Sequence, residues 1–476
     1  MPVPSDGGVS SARNLRGHAI ANSNQFSVHR VHYTDIHMLT RILLALSLSV
    51  AACLGQSVQV KQHVLENRMK ILIHEDHDVP NVAMYLFYRI GSRNEKPGTT
   101  GIAHFFEHMM FNGAEKYGPK QFDIEMEKAG GRNNAYTTND VTVYTDFFPN
   151  TAMDLMFDME ADRIAHLSLD PKIVESERGV VYNERRLSVD NSPGGVLYEQ
   201  LNAAAFIAHP YQWPVVGWAS DIENWKREDL ESYYRMGYAP NNCTVVVSGD
   251  VTEAQVMALA KKHFEPIPSQ AAPPPVTTKE PPQNGERRVV VYKEAQLPVQ
   301  MFAWHVPETN NADTAPLEVL GTLLSQGRSS RLYKRMVDGQ LALQARCGGD
   351  ESFDPALFTC IVAPRSGVEP ETSERALLEE IEKLRTVPVE ARELRKAKNQ
   401  ILADYFRELK TIANKANFIG NFETFHGSWS KMNDYAGTIE AVSPEDLKRV
   451  AEKYLNSRNR TVATLIPEKG QEGEQE

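Results

Sequence analysis

Two histidines and a glutamate stand together in the run Gly101-Ile-Ala-His104-Phe-Phe-Glu107-His108-Met-Met-Phe-Asn-Gly113. A spacing of four places His104 and His108 one turn apart on one helix face, where two imidazoles can share a tetrahedral metal ion. Glu107 lies one turn from His104 and beside His108, close enough to take a proton from a water at that metal. Phe105, Phe106, Met109 and Met110 give the helix apolar flanks that bury it and keep the site dry. The plainer reading is a pair of core histidines with a glutamate nearby by chance. A catalytic zinc also needs a third protein ligand and one open position. Residues 173–187 (IVESERGVVYNERRL) read as a helix that carries Glu184 and, two turns earlier on the same face, Glu177. Glu184 would complete the ligand set, and Glu177 would orient a ligand histidine through a hydrogen bond. Pattern alone does not separate this from a solvated face shared with Glu175, Arg178, Arg185 and Arg186. The nearby His74-Glu75-Asp76-His77 has the wrong spacing for a zinc helix and ends a strand before Pro80, so it reads as a turn.

The elements that must hold these residues occur twice. Strand-like MKILIHED and VAMYLFYRI precede a helix over residues 100–111 that ends at Gly113; RRVVVYKE and VQMFAWHV precede a helix over 314–325 that ends at Gly327. NNCTVVVSGDV closes the first half and RNRTVATLIP the second. Period-two apolar runs alternate with helical patterns at 151–166, 171–188, 370–385 and 388–408. The expected fold class is α+β: two homologous domains, each a mixed, mostly antiparallel sheet with helices packed on one face. When Gly113 is aligned with Gly327, His104, Glu107 and His108 fall opposite Glu318, Gly321 and Thr322. Only the first half can carry the chemistry.

At 476 residues the chain calls for two or more domains. A net charge of −11 without a long basic run argues against nucleic acid as a partner. Residues 1–37 are polar and unpatterned and read as a misassigned or disordered extension. Residues 38–56 have the layout of a secretory signal, with an apolar run too short to span a bilayer. Cys53 would suit lipid attachment, and simple cleavage near Gly55 suits the same segment; either places the mature protein outside the cytoplasm, in the periplasm or extracellular space. The further boundaries are a catalytic domain at 57–264, a Pro-rich linker at 265–288, a second domain at 289–467 and a polar tail at 468–476. Cys347 and Cys360 flank a turn between two strand-like runs, and could be one cross-strand bridge or two buried thiols.

His-Phe-Phe-Glu-His followed by Glu184 resembles the inverzincins, the pitrilysin or insulinase family of zinc metallopeptidases. Further stretches carry the resemblance: Tyr88-Arg-Ile-Gly-Ser-Arg-Asn-Glu95, the Gly130-Gly131…Asn134-Ala135-x-Thr137…Asp140-x-Thr142-x-Tyr144 strand pair, Tyr238-Ala-Pro240-Asn-Asn242, Ser248-Gly249-Asp250-Val251, and Gly327-Arg-Ser-Ser-Arg331-Leu-Tyr333. It spans residues 60–467, and size and duplication point to the branch of bacterial proteins similar to the mitochondrial processing peptidase. The resemblance implies one zinc ion held by His104, His108 and Glu184, with Glu107 as general base and Glu177 behind the ligands. It further implies a peptide bound along Asn134 and Ala135, and a chain forming half of a clam-like chamber for short or unfolded peptides. Self-sufficient members of the family carry an Arg and, seven residues later, a Tyr in the second half. Met336 and Leu343 stand there instead, with Arg335 one residue off. The resemblance therefore implies a zinc-bearing subunit completed by a homologous, metal-free partner, with a homodimer as the other arrangement. A non-enzymatic peptide-binding or scaffold protein is the alternative from a different class.

Overall fold

The computed structural model describes residues 57–468; the extension, the signal segment with Cys53, and residues 469–476 of the polar tail lie outside them. The first sheet holds β1 (Lys61–Val64), β2 (Lys70–Glu75), β3 (Asn81–Tyr88), β4 (Arg132–Thr137), β5 (Thr142–Pro149) and β6 (Cys243–Gly249), in the order β1-β2-β6-β3-β5-β4. The second holds β7 (Arg287–Glu294), β8 (Val299–Val306), β9 (Ala342–Gly349), β10 (Ala356–Pro364) and β11 (Arg460–Glu468), in the order β7-β11-β8-β10-β9. Without β1, the two orders correspond strand for strand. Each contains one parallel pair, β2 with β6 and β7 with β11, and is otherwise antiparallel. The duplication legible in the sequence is thus a duplication of topology. The Pro-rich stretch between Phe264 and Arg287 contains neither helix nor strand, and the Glu280 carboxylate within it accepts from the main-chain N–H groups of Ile207, Ala208 and His209.

β3 is apolar almost throughout because both of its faces are covered. On one face Met84, Leu86 and Tyr88 join Phe105, Phe106 and Met109 in the core of the first half. On the other, Ala83 and Phe87 pack with Ile412, Ala416, Ile419 and Phe422 of the helix Ile412–Phe425. A Cβ on Gly420 of that helix would lie 1.9 Å from the Phe87 ring, so only glycine permits the approach. The converse contact is made by the helix Pro193–Ala205, whose fully buried Leu197 and Leu201 meet Met301, Ala303 and Leu465 of the second sheet. Each of these two leucines contributes on the order of 2 kcal/mol by leaving water. Each half has its own helices on one face of its sheet, and the opposite face is covered by a helix from the other half. Cys347 and Cys360 face each other across β9 and β10 and form a disulfide.

Candidate metal centre

The helix Ile102–Met109 is two residues shorter at each end than its pattern predicts. Its entry is fixed by Gly101, whose φ of 88° and contact with the Val216 carbonyl exclude a side chain. The buried Glu95 carboxylate accepts from the N–H groups of Gly101 and Ala103 at 2.9 and 2.7 Å, taking up donors that the helix start leaves unpaired. Ile102, Phe105, Phe106 and Met109 are buried, which turns His104 and His108 toward the second carrier, the helix Pro171–Arg185. That helix starts at Asp170, whose carboxylate accepts from the N–H groups of Lys172 and Ile173. It passes into a wider turn at Arg186–Asp190, where buried Arg185 bonds the Gly217 carbonyl and pairs with Glu199.

Glu184 Oε1 lies 3.6 Å from His104 Nε2, and Glu184 Oε2 lies 3.4 Å from His108 Nε2. Tetrahedral zinc with bonds of roughly 2.0–2.1 Å requires donor atoms about 3.4 Å apart. The donor set therefore fits zinc in chemistry and in spacing, and it is the sole such cluster of three metal-binding side chains among the described residues. His108 Nδ1 donates to Glu177 at 2.7 Å. Glu107 accepts from the Thr137 hydroxyl at 2.6 Å, on β4. Glu184 keeps 46% of its side chain exposed, so the donor cluster faces solvent on that side.

Burial alone would lower the pKa of His108, but hydrogen bonds and charge from Glu177 and Glu184 outweigh it and raise the value to about 9. Burial and the His108 charge lower that of His104 to about 4. The bond from His108 holds both Glu177 and Glu184 below the usual carboxylate range. Burial raises Glu107 against the opposing pull of Thr137, the direction that suits a group exchanging protons near neutral pH.

Residues 70–217 match the insulinase family (peptidase family M16), and residues 224–401 match the peptidase M16 inactive domain. The chain is 30% identical to the zinc protease PqqE of Helicobacter pylori, over 90% of this chain and all of that one. The chain belongs to peptidase family M16. It is 26% identical to the beta subunit of the mitochondrial-processing peptidase of Lentinula edodes, over 84% of this chain and 88% of that one. The crystal structure of a protease from Helicobacter pylori superposes with a TM-score of 0.83 at 30% identity, covering 86% of this chain and 100% of that one. A peptidase M16 inactive domain from Pseudomonas fluorescens shares the fold, with a TM-score of 0.79 at 16% identity, covering 87% of this chain and 99% of that one.

The M16 chain brings His104, Glu107, His108, Glu177 and Glu184 to one place. Asn134 and Ala135 lie on β4, the outer strand of the first sheet, which among the described residues pairs only with β5. His74 and His77 are engaged elsewhere: His74 bonds the Gln59 carbonyl and His77 pairs with Asp250. In the second half Met336 is fully buried, Leu343 is half exposed, and Arg335 pairs with Glu379. At the repeat positions aligned with His104 and Glu107, Glu318 bonds the Tyr435 hydroxyl and a side chain on Gly321 would crowd the Cys347 carbonyl at 3.2 Å. Sequence reasoning missed two contributors. Thr137 sits in the Asn134-Ala-x-Thr137 run, which marks it, whereas nothing in the pattern marks Glu95 as the cap of the helix Ile102–Met109.

Proposed function

We propose that this chain is the zinc-bearing subunit of an endopeptidase that cleaves short or unfolded polypeptides. The observation that carries the proposal is the spacing of the His104, His108 and Glu184 donor atoms, with Glu107 alongside. A zinc ion held by those three side chains would supply Lewis-acid polarisation of the water and the scissile carbonyl. Glu107 takes the proton of the attacking water and delivers it to the leaving amine. Glu177 fixes the His108 ring, and Thr137 fixes the Glu107 carboxylate. The free edge of β4 suits a peptide added as a further strand, bonded through the main chain of Asn134 and Ala135. A cavity of about 940 Å³ begins at Tyr136 on β4 and is lined by Tyr198, Phe206, Trp213, Met301 and Arg346, giving room for side chains of such a peptide.

Met336, Leu343 and an Arg335 paired with Glu379 leave the second half without the Arg and Tyr expected of self-sufficient members. The reading is therefore a heterodimer with a homologous metal-free subunit. Export of the mature chain accords with the Cys347–Cys360 disulfide, a bond that persists in oxidising compartments. Among the described residues no helix is long and apolar enough to cross a membrane. The test is cleavage of an unfolded polypeptide by the chain with and without such a partner, before and after chelation. Zinc-dependent, chelator-sensitive cleavage supports the proposal. Peptide binding without zinc or cleavage would favour the scaffold reading.

A further inference from the structure

Glu107 is joined to the second half through a chain of hydrogen bonds, buried at Asp140 and Tyr211 and partly buried elsewhere. Thr137, which holds Glu107, ends β4 and leads into the turn 138–141. The Thr138 hydroxyl accepts from the N–H groups of Asp140 and Val141 and sets that turn. Asp140, 2% exposed, accepts from the Tyr211 hydroxyl at 2.7 Å, from Arg93 at 3.2 Å and from the N–H of Phe353 at 3.3 Å. Phe353 and Asp354 lie in the turn between β9 and β10 of the second half. The Tyr211 oxygen accepts in turn from the N–H of Asp354, whose carboxylate meets Arg93 at 2.9 Å and His209 at 3.1 Å. The Arg89 guanidinium covers the Phe353 ring at 4.4 Å. The hairpin behind this turn is cross-linked by the Cys347–Cys360 disulfide.

We infer that Asp140 and Tyr211 are positioning residues, through which the β9–β10 turn of the second half holds the β4–β5 turn and, by way of Thr137, the Glu107 carboxylate. This inference rests on the reading of Glu107 as general base. A carboxylate that must meet both a water and a leaving amine tolerates little displacement, and a shift of about 1 Å costs on the order of a hundredfold. The second half is thereby a structural participant in the reaction, although it has no metal ligands of its own.

The test uses the full chain, in the assembly in which wild type cleaves, with Tyr211→Phe, Thr137→Val and Thr137→Ser. Tyr211→Phe removes one hydroxyl and keeps the ring against Phe206 and His209. The expected result is a fall in kcat of about tenfold, with KM within about twofold and zinc content unchanged. Thr137→Val falls at least as far, and Thr137→Ser restores most of the loss. Amide exchange in Tyr211→Phe rises over residues 138–141 and 350–354 and stays at the wild-type level over Ile102–Met109. An unchanged kcat, a change in KM alone, or exchange that rises equally in the metal helix overturns the inference. Absence of zinc-dependent cleavage by wild type would count against the peptidase reading instead, and the exchange comparison would still decide whether the two turns are coupled.

Discussion

His108 Nδ1 donates to the Glu177 carboxylate at 2.7 Å, and the same ring presents Nε2 to Glu184 at 3.4 Å. The first bond fixes the tautomer and the ring plane, leaving the Nε2 lone pair for a metal. The proposed zinc site therefore gives the two glutamates, seven residues apart on one helix, different work. Glu184→Gln is expected to lose zinc on dialysis, whereas Glu177→Gln is expected to keep it with affinity lowered roughly tenfold to a hundredfold. Metal analysis after dialysis checks this. Zinc lost from the Glu177 variant and kept by the Glu184 variant would reverse the two roles.

Zinc uptake should release a proton. In the metal-free chain His108 is raised to about 9 and His104 lowered to about 4. Between pH 6 and 8 the first is protonated and the second neutral, so binding displaces about one proton per ion. Apparent affinity then falls about tenfold for each pH unit below 9. Without metal, the His108 charge contributes stability that is full below about pH 6.5 and is lost as pH rises through 9. Calorimetry in buffers of different ionisation enthalpy measures the released proton. Affinity independent of pH would contradict the assigned protonation states.

The isolated chain should bind zinc yet hydrolyse peptides poorly. Buried Met336 and aliphatic Leu343 offer no donor to a developing oxyanion, and one such donor is worth about 3 kcal/mol. Adding a homologous subunit that carries Arg and Tyr but lacks the metal motif should restore cleavage. Hydrolysis by the zinc-replete chain at several concentrations, with and without that subunit, is the measurement. Full activity of a pure monomer or homodimer would show the missing pair to be dispensable.

The mature chain should begin between Cys53 and Ser57. Intact-mass measurement of protein from its native source decides this, and a lipid-sized increment on Cys53 selects the lipoprotein form. A chain starting upstream of Met38 would refute export by this segment.

Local spacing made the histidine pair legible, because His104 and His108 share a helix face by their separation alone. Glu177 and Glu184 share a face of their own helix in the same way, but their spacing did not set them apart from a solvated Glu/Arg face, and their choice rested on the family resemblance. The repeat was legible because corresponding strands keep their apolar runs. The contacts that cross between halves were not. Phe87 reads as an ordinary strand residue, and nothing local indicates that Gly420, more than three hundred residues later, lies on it. Likewise the Asp140–Tyr211–Asp354 network joins three segments whose local patterns are those of turns. Such pairings depend on tertiary packing and leave no periodic trace.

The most direct test of the zinc-peptidase reading is Glu107→Gln, compared with wild type in the assembly in which wild type cleaves, with bound zinc measured in both. The substitution keeps the shape of the side chain and its contact with Thr137, spares His104, His108 and Glu184, and removes the proton acceptor. The account predicts one zinc per chain in both proteins and hydrolysis lowered on the order of a hundredfold or more in the variant. Turnover near the wild-type rate in a zinc-replete Glu107→Gln protein would contradict it.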